Sequence, residues 1–159
     1  MKDIMNLTKK VALGVAVGFF SNFAFAQTLQ EGVANADSHK YAKAKTVFNE
    51  MIAKSPTAEN YFYLGNSYLT QFEPNFELAQ ENFNKGLAAD KKSYLNKIGL
   101  ASVKLGKGDK SAIAEIQNIV KDSRDKDPEV LYRAAEALTI FGGAGNADLA
   151  IDLLNRAVE

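Results

Sequence analysis

The chain has 159 residues, 47% hydrophobic and 24% charged, a balance typical of one folded domain and one that excludes a disordered chain. Its 19 basic and 19 acidic residues cancel, so it lacks the basic excess that nucleic-acid backbones attract, and we expect no nucleic-acid partner. The absence of cysteine excludes disulfides, thiolate metal sites and a lipid anchor on cysteine.

The first 26 residues have the layout of a secretory signal peptide. Three lysines precede an uncharged apolar run at residues 11–20, and Ala24-Phe25-Ala26 supplies the small-x-small cleavage pattern. We therefore predict cleavage between Ala26 and Gln27 and export to a bacterial periplasm or out of the cell. The apolar run is shorter than the roughly 20 residues that a membrane span needs, so no span is expected after cleavage. The mature chain would carry 16 basic and 18 acidic residues, a net charge of −2.

The rest of the chain consists of amphipathic segments that recur in pairs about every 34 residues. Within each segment the apolar residues are spaced three and four apart, which predicts helices. Turn and cap signals separate the segments: Pro74-Asn75 and Asp127-Pro128 each precede a helix, while glycine-rich stretches at 106–109 and 142–145 end one. Four helix pairs are predicted, at about 28–56, 57–91, 92–126 and 127–159.

Small residues recur in step on the first helix of each pair. Gly32, Gly65, Gly99 and Ala135 are separated by 33, 34 and 36 residues. A glycine inside a helix costs about 1 kcal/mol relative to alanine, so its recurrence indicates close approach of the second helix, with a large side chain filling the space one turn further on. The residues predicted to pack the hairpins in this way are Gly32, Ala44, Phe48, Leu64, Gly65, Tyr68, Ala79, Phe83, Gly99, Ala135, Ala150 and Leu154.

The clearest copy runs from Tyr61 to Ala89, with Leu64, Gly65 and Tyr68 on one helix and Ala79, Phe83 and Gly86 on the next. This pattern resembles the tetratricopeptide repeat family. The resemblance implies an all-α fold, an α-α superhelix or solenoid of about four antiparallel helix hairpins. The alternative is a closed bundle of eight amphipathic helices, which predicts the same helices but no fixed period.

The resemblance also implies a concave groove, lined by the first helix of each hairpin, that binds a protein or peptide. The matching positions are Phe62, Asn66, Leu69, Thr70, Asn96, Leu100, Val103, Lys104, Tyr132, Glu136 and Thr139. Some family members grip a peptide carboxylate with asparagines and basic residues, but only Asn66 matches that set, so this clamp is not expected. A second possibility is a glycan or other small polymer, held by stacking on Phe62 and Tyr132 and by hydrogen bonds to Asn66.

Candidates for chemistry are few. His39 is the single histidine and has no ligand partner at metal-binding spacing, and the run at 142–145 lacks the residues of a phosphate loop. We therefore expect a non-catalytic scaffold without metal or cofactor. Because repeat arrays usually carry a polar cap, the apolar last helix predicts that the array continues beyond Glu159 or pairs end to end with another copy.

Overall fold

The computed structural model describes residues 28–124 and 127–159, and this part of the chain consists of helices and turns without strands. The signal-peptide pattern, including the Ala26–Gln27 cleavage site, lies outside the described residues. The helices are α1 at 28–37, α2 at Tyr41–Lys54, α3 at Ala58–Leu69, α4 at Phe76–Ala89, α5 at Tyr94–Gly106, α6 at Ala112–Asp122, α7 at Pro128–Ala137 and α8 at Ala147–Ala157. A π-helical turn at Leu138–Gly142 and a 3-10 turn at Ala144–Asn146 join α7 to α8.

Local capping chemistry sets where several helices begin. The side chain of Asn75 accepts a hydrogen bond from the Leu78 amide at 2.9 Å and so starts α4. The Asp127 carboxylate accepts from the amides of α7, where Pro128 occupies the first turn and needs no amide partner. Both caps were predicted from the sequence and are confirmed.

Left-handed backbone conformations close three of the four hairpin turns. The residues that adopt them are His39 with φ 57°, Gly108 with φ 97° and Gly143 with φ 76°. Such angles suit glycine because it has no Cβ, and histidine is among the residues that tolerate them. In the second hairpin, the segment 70–75 connects α3 to α4 and places Phe72 on the surface.

The eight helices pack as four successive antiparallel hairpins, and each hairpin stacks on the next. One core cluster is formed by the first two hairpins together with Val103 of α5, and a second by the last two hairpins. The side chains of Leu95 and Phe141 contact both clusters. The predicted all-α superhelix of about four hairpins is therefore confirmed.

The in-step glycines accommodate the rings of Phe48 and Phe83, two of the large side chains that were predicted to fill this space. A Cβ atom on Gly32 would lie 2.4 Å from the Phe48 ring, and one on Gly65 would lie 2.6 Å from the Phe83 ring. The Phe83 ring also contacts Gly99 of α5, where a Cβ would lie 2.5 Å from it. Phe83 is thus wedged between glycines of two hairpins, and it fixes how closely they stack.

Most residues predicted to pack the hairpins are buried, but Leu154 is not. Leu154 is 38% exposed, whereas its neighbour Leu153 is 2% exposed and belongs to the core of the last two hairpins. The prediction for Leu154 is wrong because α8 is rotated so that the adjacent leucine faces inward. Tyr68 is half-buried, with the Lys45 ammonium 4.6 Å from its ring centroid.

Candidate functional site

The inner face of the superhelix carries a groove of about 550 Å³. Its walls come from the first helices of three hairpins: α1, α3 and α7. The segment 70–75 closes one end and places Phe72, with 97% of its surface exposed, at the rim. Charged, polar and aromatic side chains line the groove, including Asp37, Tyr41, Asn66, Thr70, Tyr132 and Glu136.

A buried arginine ties α7 to α3 across the inner face. The Arg133 side chain is 7% exposed, and its guanidinium donates to Glu129 at 2.8 Å and to Glu136 at 3.1 Å. Its carbon Cζ lies 5.8 Å from the ring centroid of Phe62, 5.7 Å from Tyr63 and 4.8 Å from Tyr132. Carboxylates and ring faces together compensate the buried positive charge.

Two further hydrogen bonds join the same helices. The Tyr63 hydroxyl donates to Glu129 at 3.3 Å, and the Asn66 amide donates to Glu136 at 3.3 Å. The acids that pair with Arg133 therefore also bind α3, so α3 and α7 meet over the inner face of α5 although they belong to hairpins two and four. The groove lies beside this closed region, towards α1.

The electrostatics of the site are dominated by its carboxylates. Burial, with a contribution from Glu129, raises the pKa of Tyr63 to about 12. Burial and the charges of Glu136 and Asp37 likewise raise the pKa of Tyr132. Burial alone would lower the pKa of Arg133, but Glu136 and Glu129 outweigh it and raise that pKa, so the guanidinium stays charged.

The other groove wall is held by the turn between α1 and α2. The Tyr41 hydroxyl donates to the Thr70 carbonyl at 2.8 Å, which connects the first hairpin to the end of α3. The exposed His39 ring lies beside it, with Nδ1 3.1 Å from the same hydroxyl. His39 is therefore part of a turn at the groove edge.

Several predicted groove residues come together in this place. Asn66, Leu69, Thr70, Tyr132 and Glu136 all line the groove, although Leu69 is almost entirely buried.

Phe62 does not line an accessible surface. It is 1% exposed, lies 5.8 Å from the Phe83 ring and is covered by Arg133, so the expectation that it stacks on a ligand is corrected. Thr139, predicted on the same side, is exposed within the π-helical turn.

The residues predicted from the third hairpin lie elsewhere. Asn96 is fully buried, where its amide donates to the Ala58 carbonyl at 2.9 Å. Leu100, Val103 and Lys104 line a shallow outer depression between α4 and α6, and Lys104 forms an ion pair with Glu115 at 2.7 Å. These positions are corrected because Asn96 is covered by the start of α3 and by Gly86 of α4, and Val103 is 2% exposed within the core.

The groove residues that were not predicted from the sequence include Asp37, Tyr41, Phe72 and Arg133. Arg133 follows Glu129 by four residues and precedes Glu136 by three, so all three share one helix face. That spacing signals mutual pairing, but it gives no sign that the face turns inward.

Metal sites and membrane-spanning helices can also be assessed over the part of the chain that the structure describes. No group of three or more histidine, aspartate or glutamate side chains is placed to hold a metal ion within residues 28–124 and 127–159. In the same ranges, none of the helices combines the length and the apolar character that crossing a membrane requires.

Comparison with known proteins identifies the fold. No family model and no curated protein matches the chain. Among solved structures it is similar to two structures of MamA, each with a TM-score of 0.51 and 17% sequence identity, over 84% of this chain and 76% or 71% of the MamA chain. The fold is a tetratricopeptide-like α-solenoid. At this level of identity the similarity shows the fold alone.

Proposed function

We propose that this protein is an exported, non-catalytic scaffold that binds an extended segment of a protein partner in its inner groove. The observation that supports this function is the groove itself, a concavity of about 550 Å³ with polar side chains on its walls and an exposed phenylalanine at its rim. In cellular terms we propose a role in assembly or trafficking at the cell envelope, which follows from the signal-peptide pattern of residues 1–26.

The groove offers the two kinds of contact that an extended peptide needs. Asn66 and Thr70 lie in it with polar groups that can pair with peptide N–H and C=O groups. Phe72 exposes nearly its whole ring, and an aromatic side chain that becomes buried on binding typically supplies a large share of the affinity.

The test is selection of a random peptide library displayed on phage against the purified protein. Affinities of recovered peptides are then measured by fluorescence polarisation for the wild type and for Phe72→Ala and Asn66→Ala variants. Phe72→Ala should lower affinity by about 5- to 30-fold, the range for an aromatic contact worth about 1–2 kcal/mol.

The matched control is Leu78→Ala, because Leu78 is also a partly exposed apolar residue but lies on α4, outside the groove. Leu78→Ala should leave affinity unchanged. Failure to recover any peptide, or recovery of peptides that bind all the variants equally, would rule out groove binding.

A glycan fragment is the second candidate occupant, because the exposed rings of Tyr132 and Phe72 are suited to stacking on a sugar. Phe62, originally included in this hypothesis, is buried and cannot contribute. A glycan array that gives groove-dependent binding, together with a phage selection that gives none, would favour this candidate over the peptide.

Export itself is directly measurable. We propose that residues 1–26 are removed, so mass spectrometry of protein from a bacterial periplasmic fraction should give Gln27 as the first residue. Replacing Ala24 and Ala26 by leucine should block cleavage, because the peptidase site requires small residues. An N-terminus at Met1 in the exported wild type would contradict this part of the proposal.

We also propose that the outer face of α8 associates with a second copy. Ile151, Leu154 and Val158 are exposed apolar residues on this helix and its end. Sedimentation should show a concentration-dependent dimer that Ile151→Glu dissociates. A wild type that remains monomeric at high concentration would exclude this association.

A further inference from the structure

The charge of the inner groove gives information about its ligand. Two carboxylates, Asp37 and Glu136, line it, and Glu129 adds a third negative charge beside Glu136. Among the described lining residues, Arg133 is the one lysine or arginine, and both acids of α7 already pair with it. Arg133 is also buried, so the groove has no available cation that would attract an acidic segment.

Asp37 stands apart from this ion-pair network. It is exposed at the end of α1 and forms no ion pair with any other residue of the described ranges. It lines the same groove as Tyr132, and its charge adds to burial and to Glu136 in raising the pKa of that hydroxyl. Lys45 is not among the residues that line the groove, and its ammonium is engaged with Gln71, to which it donates at 2.8 Å.

The protein already binds one guanidinium by this combination of groups. Arg133 lies between the carboxylates of Glu129 and Glu136, with its carbon Cζ 4.8 Å from the Tyr132 ring. The lining of the groove contains the same kinds of group in accessible form: the Asp37 carboxylate and the exposed rings of Tyr132 and Phe72. A carboxylate beside an aromatic face binds lysine and arginine side chains well.

We propose that the groove selects peptide segments that carry a lysine or arginine side chain, held by the Asp37 carboxylate and the faces of Tyr132 and Phe72. This inference rests on the proposed peptide-binding function and defines its partner as a basic, partly apolar segment. Charge complementarity sets the preference, so binding should also weaken as salt is added.

The phage selection tests this inference through the composition of the recovered peptides. Peptides selected on the wild type should be enriched in lysine and arginine. A recovered peptide resynthesised with citrulline, the neutral analogue of arginine, should bind about tenfold more weakly, since a charge-assisted contact is lost. A second selection, on Asp37→Lys, should lose the basic enrichment and favour glutamate and aspartate.

Asp37→Lys is suited to this test because Asp37 is exposed and the substitution leaves the Arg133 network intact. The matched control is Glu81→Lys on α4, an exposed acid outside the groove, which should leave the basic preference unchanged. Circular dichroism of each variant establishes that it is folded.

The outcomes separate the two proposals. Peptides that depend on Phe72 but show no basic preference, or whose preference survives Asp37→Lys, would overturn the cation selectivity while leaving the groove as a peptide site. Recovery of no groove-dependent peptide would overturn both.

Discussion

Substitution of Gly65 by alanine tests whether the phenylalanine wedge sets the spacing of the hairpins. A Cβ at this position would lie 2.6 Å from Cε1 and 2.8 Å from Cδ1 of Phe83, well inside contact distance. The ring is fully buried and is packed equally closely against Gly99, where a Cβ would lie 2.5 Å away, so it has little room to move. The ring therefore cannot yield without displacing α5.

The expected magnitude follows from two opposing effects. Overpacking of a filled core costs about 1–3 kcal/mol, and replacing glycine by alanine within a helix returns about 1 kcal/mol. Because two ring carbons would lie within 2.8 Å of the new Cβ, the cost should fall in the upper half of that range, and we expect Gly65→Ala to reduce the free energy of unfolding by about 1–2 kcal/mol. Thermal unfolding followed by circular dichroism should then show a midpoint lowered by roughly 4 °C per kcal/mol for a chain of this length.

Gly145→Ala is the matched control. No atom lies within 4 Å of the Cβ position of Gly145 and its φ is not in the left-handed range, so this variant should be unchanged or stabilised by about 0.4–1 kcal/mol. A double-mutant cycle with Phe83→Leu isolates the contact: loss of the ring should cost less in the Gly65→Ala background than in the wild type. A Gly65→Ala protein as stable as the wild type, or a cycle additive within about 0.5 kcal/mol, would refute the wedge.

Three further predictions concern the core and the groove. Leu153→Ala should destabilise the protein by about 2–5 kcal/mol and Leu154→Ala by less than about 1 kcal/mol, and chemical denaturation that gives the reverse order would contradict the rotation of α8. Burial raises the pKa of the Tyr63 hydroxyl to about 12, so the stability that it contributes below pH 10 should be lost as the pH rises towards 12, a loss of about 1–2 kcal/mol after allowance for solvent screening. Denaturation in Tyr63→Phe should lack that part of the alkaline loss, and identical pH profiles would contradict the burial of the hydroxyl. Arg133→Met should cost about 2–3 kcal/mol in a denaturant titration, below the roughly 3–5 kcal/mol of a fully buried pair because Glu129 is 38% exposed. A neutral effect would show that the tie between α3 and α7 adds no stability.

The sequence predicts the parts of this fold that depend on local chemistry. Helix periodicity and caps such as Asn75 and Asp127 act within a few residues, and the structure confirms them. The recurring glycines are also visible in the sequence, because a mid-helix glycine needs a packing reason. The side chain that packs against each glycine is harder to predict, because an alanine and a phenylalanine lie one turn apart on the second helix and both are buried.

The rotation of α8 about its axis cannot be predicted from the local sequence. Leu153 and Leu154 are adjacent, equally apolar and about 100° apart around the helix axis, so either fits the repeat pattern. The irregular turns at Leu138–Gly142 and Ala144–Asn146 set the entry of the chain into α8 and thereby bring Leu153 inward. A π-helical turn has no strong sequence signal, so the sequence does not show that Leu153 rather than Leu154 faces the core.

The shape of the groove depends on the angles between successive hairpins, and no single hairpin determines these angles. Phe62 lies on the inner side of α3, as predicted, but α7 comes close enough for Arg133 to cover it. In the sequence, Arg133 with its two glutamates resembles an ordinary solvent-exposed ion-pair face of a helix. Only when hairpins two and four meet does that face become the closed part of the inner surface. It follows that the tie made by Arg133 also limits where a ligand can bind: the inner face of α5 is covered, and the accessible groove is confined to the space between α1, α3 and α7.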